Sequence, residues 1–545
     1  MLLYLAATSA CADPASTPTD EAAAALPERG EEPEWSADDP RSLFDFVTSL
    51  AAGRARTLWV PSPPSVRGRA AEALTYDEYR SIRFRREAAP WPTSLPFELQ
   101  LDPPGGAQTT PVRVHLVSSG SARTVSFDPS MFDWDGSLAP DDLDLEPDAG
   151  FGGLRILSRM NRPDHLDEVV SFRGASYFRL IGPGHVYGAS ARGVALNTAG
   201  AEPEEFPDFV EFWVREPAPG DSILVFHALL DGPSVTGAYR FELVSGRGPG
   251  TAGADEVRPS ALRVQARLFA RGTITRLGVA PLTSMFLHGP LDPVGADALR
   301  PRVHDSEALV METHAGEIIH RPVTNPDDVR VTSLRDRDPR GFGLAQPERD
   351  FDAYLDLEAQ YHRRPGLWVE PEGAWGEGGV LLVELPTDSE FADNVVAFWA
   401  PDDTLRAGDR RDFSWRLRTF DSGAPTQAEP LGVVIRARIG PAGLPGQSVA
   451  PPLYHRRVLV DFGGSGLAGL PPETEIEPVL YSSTGTVRDL RIEPLPDGGR
   501  RATWILEGEP GVPADMRIFL RAPQGRTATW SHLLDLPEAE PTETG

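Results

Sequence analysis

Lysine is absent from this 545-residue sequence, and all 52 basic side chains are arginine. That reads as the composition of a GC-rich coding sequence, not as a function. Cysteine occurs once, at Cys11, so no internal disulfide can form. No apolar run reaches the roughly 20 residues that a membrane-crossing helix needs. There is no Cys-based or His-Glu spacing of the kind that binds zinc, which leaves metal chemistry without a candidate and suggests no cofactor. Ser284 lacks the G-x-S-x-G setting of a serine hydrolase. Gly182-Pro183-Gly184 carries a proline in the turn between strand-like segments, which does not support a nucleotide fold. Positive charge is also scarce: 52 basic against 80 acidic residues give a formal net charge of −28. Such a surface repels nucleic acid and anionic lipid, so neither is an expected partner. A neutral polysaccharide is compatible with it.

The length calls for at least two large domains. Proline (54) and glycine (52) are abundant but dispersed, as suits many turns between short strands. Residues 1–12 read as an export signal without a basic leader: Leu2-Leu3-Tyr4-Leu5-Ala6-Ala7 precedes Ala10-Cys11-Ala12, a peptidase-type A-x-A site. Cys11 also stands in a loose lipoprotein context, which offers a lipid anchor. Residues 13–40 are acidic and proline-rich, a spacer. SLFDFVTSLA, following Arg41, has helical spacing, and ALTYDEYRSIRFRR (73–86) reads as a short helix running into a strand. From Phe97 onward, short alternating segments such as FELQL, VRVHLV and LRVQARLFA predict an antiparallel all-β architecture. Helical hints recur only near Asp352–Tyr361 and Asp388–Asp393. The composition turns polar at Ala400–Asp403. The division is therefore a β-sandwich domain over 41–403, an immunoglobulin-like sandwich over 404–536, whose first strand is FSWRLRTF, and a tail over 537–545.

Chemistry concentrates between Leu277 and Trp399. His304-Asp305-Ser306-Glu307 and Asp388-Ser389-Glu390, with Asp393, are two carboxylate clusters set among Trp368, Trp375, Trp399, Phe342, Phe351 and Tyr361. Carboxylates among aromatic rings suit a sugar site, where a paired acid and base can cleave an acetal. An isolated Asp in a loop is more often a turn or cap residue. Trp368 and Trp375 read equally as core or as sugar platforms. Arg173, Arg179 and Arg192 suit either hydroxyl binding or pairing with carboxylates.

Eight collinear blocks carry a resemblance that decides more. They are YDEYR (76–80), SFRGASYFRLIGPGHVYGASARG (171–193), EEFPDFVEFW (204–213), LGVAPLTSMF (277–286), RPRVHDS (300–306), DPRGFGLAQ (338–346), RRPGLWVEPEGAWGEG (363–378) and LPTDSEFADNVVAFW (385–399). Through them the chain is similar to the periplasmic glucan biosynthesis family (OpgG/OpgD, formerly MdoG/MdoD). The resemblance implies a galactose-mutarotase-like N-terminal β-sandwich, a smaller immunoglobulin-like domain and a periplasmic location. It also implies a role in making osmoregulated glucans with a β-1,2-linked backbone. Some members resemble inverting endo-β-1,2-glucanases, others a transglycosylase. A membrane-bound glucan synthase and a homodimer are family-level partner expectations.

Carried over residue by residue, the E-x-x-D-N motif makes Asp393 the general acid and the H-D-S motif makes Asp305 the general base. The two lie 88 positions apart, so a sheet must bring them together. The acid needs a raised pKa, for which Glu390, three residues earlier, could supply like-charge pressure on a helical turn. Tyr361 is a candidate for lining a proton route through water and a substrate hydroxyl. His304 reads as a hydrogen-bonded wall residue, and Trp375 and Arg173 as candidate substrate contacts. The chain departs from the family pattern at Glu307-Ala308 after H-D-S, at Ile318 and His320 where tryptophans are usual, and at Pro347-Glu348. These changes bear on hydrolysis against transfer. The rival expectation is a non-catalytic glucan-binding or scaffold component of the synthesis machinery.

Overall fold

The computed structural model describes residues 40–539, apart from 63–74, 106–109, 119–120, 135–138, 140–148, 249–256, 293–298, 444–445, 447–449 and 472. The expected export signal, nearly all of the spacer, Cys11 and residues 540–545 of the tail lie outside the described residues. The rest is nearly all β, as the alternating segments predict.

Two large sheets build the N-terminal part. One runs, strand by strand, through Phe97–Asp102, Gly153–Ser158, Asp167–Arg173, Tyr177–Leu180, Ser190–Arg192, Leu277–Ser284, Val395–Pro401, Glu377–Glu384 and Arg330–Arg337. The other includes, in order, Ala308–Glu312, Gly341–Ala345, Gly366–Glu372, Arg410–Phe420, Ala261–Ala270, Val235–Val244, Ile223–Asp231 and Asp208–Arg215. Period-two patterning explains the second sheet: in ALRVQARLFA, Leu262, Val264, Ala266 and Leu268 are buried and alternate with half-exposed Arg263, Gln265 and Arg267. Both sheets feed one apolar core. Leu99, Ile156, Val170 and Leu282 come from the first, Phe226, Phe241, Val264 and Leu417 from the second. Phe172 ties the sheets together, packing against Phe178 on its own sheet and against Phe209, Phe212, Phe226 and Phe241 across the layer.

The helix Pro40–Ala55 forms where its spacing predicted. It seats Leu43, Phe46, Val47 and Ala51 on Val210, Trp213, Leu229 and Ala238, on the outer face of the second sheet. Tyr76–Ser81 is a helix with a Thr75/Glu78 capping box and runs directly into the strand Ile82–Phe84, again as predicted. The hint of helix at Asp352–Tyr361 resolves into two short 3-10 turns, Phe351–Ala353 and Tyr361–Arg363; residues 388–394 form no helix.

The expected boundary at 403/404 does not match the sheets. Arg410–Phe420, taken above as the first strand of the second domain, pairs with Ala261–Ala270 on one side and with Gly366–Glu372 on the other. Its neighbours sit inside the first core, and Trp415 and Leu417 are buried there. A polar joint in sequence was therefore a surface turn before one more strand. The second core begins near Val434 and gathers Val458, Phe462, Trp504, Met516, Ile518 and Trp530. A four-stranded sheet covers one side of it (Val433–Pro441, His455–Gly463, Arg500–Glu507, Thr486–Pro494). Glu477–Ser482, Ala514–Ala522 and Thr529–Leu534 contribute from the other side. These last strands join the large second sheet through a parallel pairing of Ile319 with Thr529 and His320 with Trp530.

Candidate active site

The two aspartates of the carboxylate clusters meet at one end of the Leu277–Ser284 strand. That strand is buried on both faces and carries a bulge, with Ala280 at φ 48° and a register shift between Val279 and Leu282 against its partner. Just beyond its end, Phe286 pairs with His304, and the Asp305 N–H donates to the Met285 carbonyl (2.8 Å). Ser284 Oγ donates to Ser306 Oγ (2.8 Å), fixing the other side of Asp305. Asp393 is held from its C-terminal side. The Asn394 amide accepts from the Phe286 N–H (2.8 Å) and donates to the Phe286 and Leu385 carbonyls (2.9 Å each). One asparagine thus locks the Asp393 loop to the segment that leads to Asp305.

Both carboxyls are buried, and their surroundings differ. Asp305 forms an ion pair with Arg364, whose guanidinium also lies 4.3 Å from the centre of the Tyr361 ring and donates to the Ala359 carbonyl (3.1 Å). Burial pushes the Asp305 carboxyl upward and Arg364 opposes it. The close approach of the Arg364 stem needs Gly188: a Cβ there would lie 2.8 Å from Arg364 Cβ. Asp393 has no ion pair among the described residues. Burial, first, and the charge of Asp305 push it up to about 6, against the pull of Arg179, Arg192 and Arg364. The pair is asymmetric in its partners: burial raises both carboxyls, but Asp305 has an arginine in direct contact to oppose it, and Asp393, without one, can keep its proton towards the neutral range.

Glu390 does not supply the pressure on Asp393. Its carboxylate accepts from Tyr361 Oη (3.1 Å) and from Arg300 (2.7 Å), and Arg300 also binds Asp356 (2.8 Å). Without a helical turn at 388–393, Glu390 faces its own arginine, and Asp305 is the like charge that Asp393 feels. Asp356 in turn accepts the N–H groups of Glu358 (2.9 Å) and Ala359 (2.7 Å), so Arg300 staples two loops beside the pair. Phe391, on one of those loops, is 54% exposed. Tyr361 has a buried ring below, and burial pushes its hydroxyl upward.

His304 is fully buried, stacked on Phe286 (5.3 Å between centroids) and hydrogen-bonded to Gln346 (2.9 Å); burial pushes it down to about 3, so it stays neutral. Trp375 does not reach the site. It packs in the main core against Trp399, Phe413 and Trp415 and donates to the Ser414 carbonyl (3.2 Å), which makes it a packing residue. Arg173 lies 3.9 Å over the Tyr79 ring. Arg192 is buried between Tyr177 and Phe206 with Glu204 as its partner, so it pairs with a carboxylate. Among the described residues no group of three His, Cys, Asp or Glu could hold a metal ion. An open cleft of about 820 Å³ is lined by other residues, Arg159, Arg263, Arg416, Arg418, Ile223 and Val244 among them, and includes neither Asp305 nor Asp393. The chemistry of the groups, not the size of the hollow, locates the site.

The chain matches the family described as "Periplasmic glucan biosynthesis protein, MdoG" over residues 43–534, a span that includes every residue of this site. The chain belongs to that family. It is 39% identical to glucans biosynthesis protein G of Vibrio cholerae serotype O1, covering 89% of this chain and 85% of the relative. It is 38% identical to glucans biosynthesis protein D 1 of Ralstonia nicotianae, covering 98% and 97%. The probable glucans biosynthesis protein D of Shewanella oneidensis is 37% identical, covering 90% and 88%. The family description points to a periplasmic location, and no helix among the described residues is long and apolar enough to cross a membrane.

Sequence reasoning missed Arg364, Arg300, Asp356 and Gln346 as site residues. Arg300, Arg364 and Gln346 stood inside blocks already matched to the family, RPRVHDS, RRPGLW and DPRGFGLAQ, and that was the available signal.

Proposed function

We propose that the protein acts on β-1,2-linked glucan as an inverting enzyme, with Asp393 as general acid and Asp305 as general base. The observation that carries this reading is the difference in partners within the buried pair: burial raises both carboxyls, Asp305 is in an ion pair with Arg364 that opposes the rise, and Asp393 has no ion pair among the described residues and is pushed up to about 6. A general acid must hold a proton where the enzyme works, and a general base must not. Asp393 would protonate the leaving glycosidic oxygen. Asp305 would take a proton, relayed through water and a substrate hydroxyl along the Tyr361–Glu390 side of the site. Attack by water gives hydrolysis; attack by a sugar hydroxyl gives transglycosylation. Supply of chains by a membrane-bound synthase and pairing into a homodimer belong to the same reading and rest on the family resemblance.

The test is incubation of the purified protein with linear β-1,2-glucan, wild type beside Asp393→Asn, with products resolved by size and anomer. Shorter chains of inverted anomer from the wild type alone are expected, with the variant slower by at least about 10³-fold. Longer or ring-closed products would move the assignment to transfer. Polymer that is bound but left intact under all conditions would replace catalysis with a holding role in glucan synthesis.

A further inference from the structure

Strand register lines up a second set of polar groups beside the carboxylate pair. Across the first sheet, Gln100 lies opposite Arg155, Arg155 opposite Ser171, and Ser171 opposite Arg179. Residues directly opposite on neighbouring strands point to the same face. The alternate positions Leu99, Ile156, Val170, Phe172 and Leu180 enter the core, so this rank faces away from it, and all four members are half-buried.

The rank leads to the catalytic pair. Arg179 Nε donates to Ser190 Oγ (3.0 Å), and Ser190 lies opposite Thr283 on the strand that ends at the site. The charge of Arg179 acts on both Asp305 and Asp393. Farther out, Arg155 is held by Asp102 (3.0 Å) and Glu168 (3.7 Å), and Gln100 donates to Glu98 (2.8 Å). Tyr187 Oη donates to Ser171 Oγ (3.2 Å), with its half-buried ring 6.0 Å from the Arg179 guanidinium. Donors and acceptors alternate in positions fixed before a ligand arrives. Burial pushes Glu168 up to about 7, so near neutrality it can either donate or accept.

We propose that this rank is the arm of the site that holds the glucan chain on one side of the scissile bond, a refinement that rests on the glucan-acting reading above. With strands about 4.8 Å apart, Arg179 to Gln100 spans about 14 Å, room for roughly three sugar rings. Sugar hydroxyls donate and accept, and an alternating rank serves both. The arm makes affinity depend on chain length: short chains reach Ser171 and Tyr187, and only longer ones reach Gln100.

The experiment measures calorimetric binding of β-1,2-linked gluco-oligosaccharides of defined length to the inactive Asp393→Asn protein. Gln100→Ala and Tyr187→Phe are added singly to that background, with folding checked by thermal melting. Tyr187→Phe is expected to weaken all but the shortest ligands by roughly fivefold, and Gln100→Ala to weaken only the longer ones by a similar factor. Folded variants that bind every length as the parent does would overturn the arm. A wild type that cleaves glucan without any step in affinity with length keeps the enzyme and also overturns the arm. A length step in a protein that cleaves nothing keeps the arm and removes the catalytic reading.

Discussion

The carboxylate centre and the open arginine-lined cleft are opposites. The cleft is open, and its charges are largely answered: Arg263 pairs with Glu372 (2.7 Å), Arg418 with Glu370 (2.8 Å), and Arg159 donates to the carbonyls of Leu95 and Thr93. The carboxylate centre is buried and leaves one acid, Asp393, without an ion pair among the described residues. Matched ion pairs at a surface add little to stability and little to chemistry. An unmatched buried carboxyl costs stability and persists where something else requires it, which makes it the better pointer to function.

Breaking the match on the base side should have the largest effect on stability. Arg364→Ala leaves a buried Asp305 charge without its partner, and about 3–5 kcal/mol of unfolding free energy should be lost at neutral pH. Adding Asp305→Asn should restore most of it. Denaturant melts of the single and double variants measure this, and equal loss in both would mean that packing of the arginine stem dominates.

The acid side should respond with the opposite sign. The folded-state pKa of Asp393, about 6, lies above its ordinary value of 3.8, so the folded form binds the proton more tightly. Its contribution is fully present below about pH 3.8 and is lost as pH rises through about 6. At pH 8 the wild type bears a penalty of about 3 kcal/mol, which Asp393→Asn removes. The inactive variant should therefore melt higher than wild type at pH 8 and show no such advantage at pH 4. Wild-type turnover should fall over the same interval as the acid loses its proton. A variant no more stable at pH 8 would indicate that water reaches Asp393.

The smallest effect is expected in the cleft. Arg263→Gln breaks a partly exposed pair and should change stability by no more than about 0.5 kcal/mol and glucan turnover by less than twofold. A larger loss of turnover would give the cleft a part in the reaction and erase the contrast.

How much of this was legible in the sequence follows from the range of each interaction. Period-two alternation is local, so strands such as Ala261–Ala270 could be read directly, as could the short helix that runs into a strand within residues 73–86. Asp305 and Asp393 were reached through motifs, because nothing in a single chain announces that residues 88 positions apart converge. Arg364 pairs with a residue 59 positions away, and the sequence offered it no distinction from its neighbour Arg363, which instead donates to the Gly184 carbonyl. Trp375 read equally as core or as sugar platform, and the sequence could not choose, because the three aromatic rings that close over it, Trp399, Phe413 and Trp415, come from distant strands. The domain boundary failed for a similar reason: composition marks a turn, but only pairing tells which sheet the next strand joins.

The parallel contact between Ile319–His320 and Thr529–Trp530 gives the two cores a shared backbone ladder. Neither core can melt alone without exposing the edge of a strand that the other buries. Heat should accordingly take the molecule apart in one cooperative step, with a calorimetric enthalpy matching the van't Hoff value. Joined in this way, the smaller core backs the strand Ile318–Pro322 and, through it, the strand Ala308–Glu312 that follows Asp305, so the carboxylate pair is tied by backbone pairing to the second core.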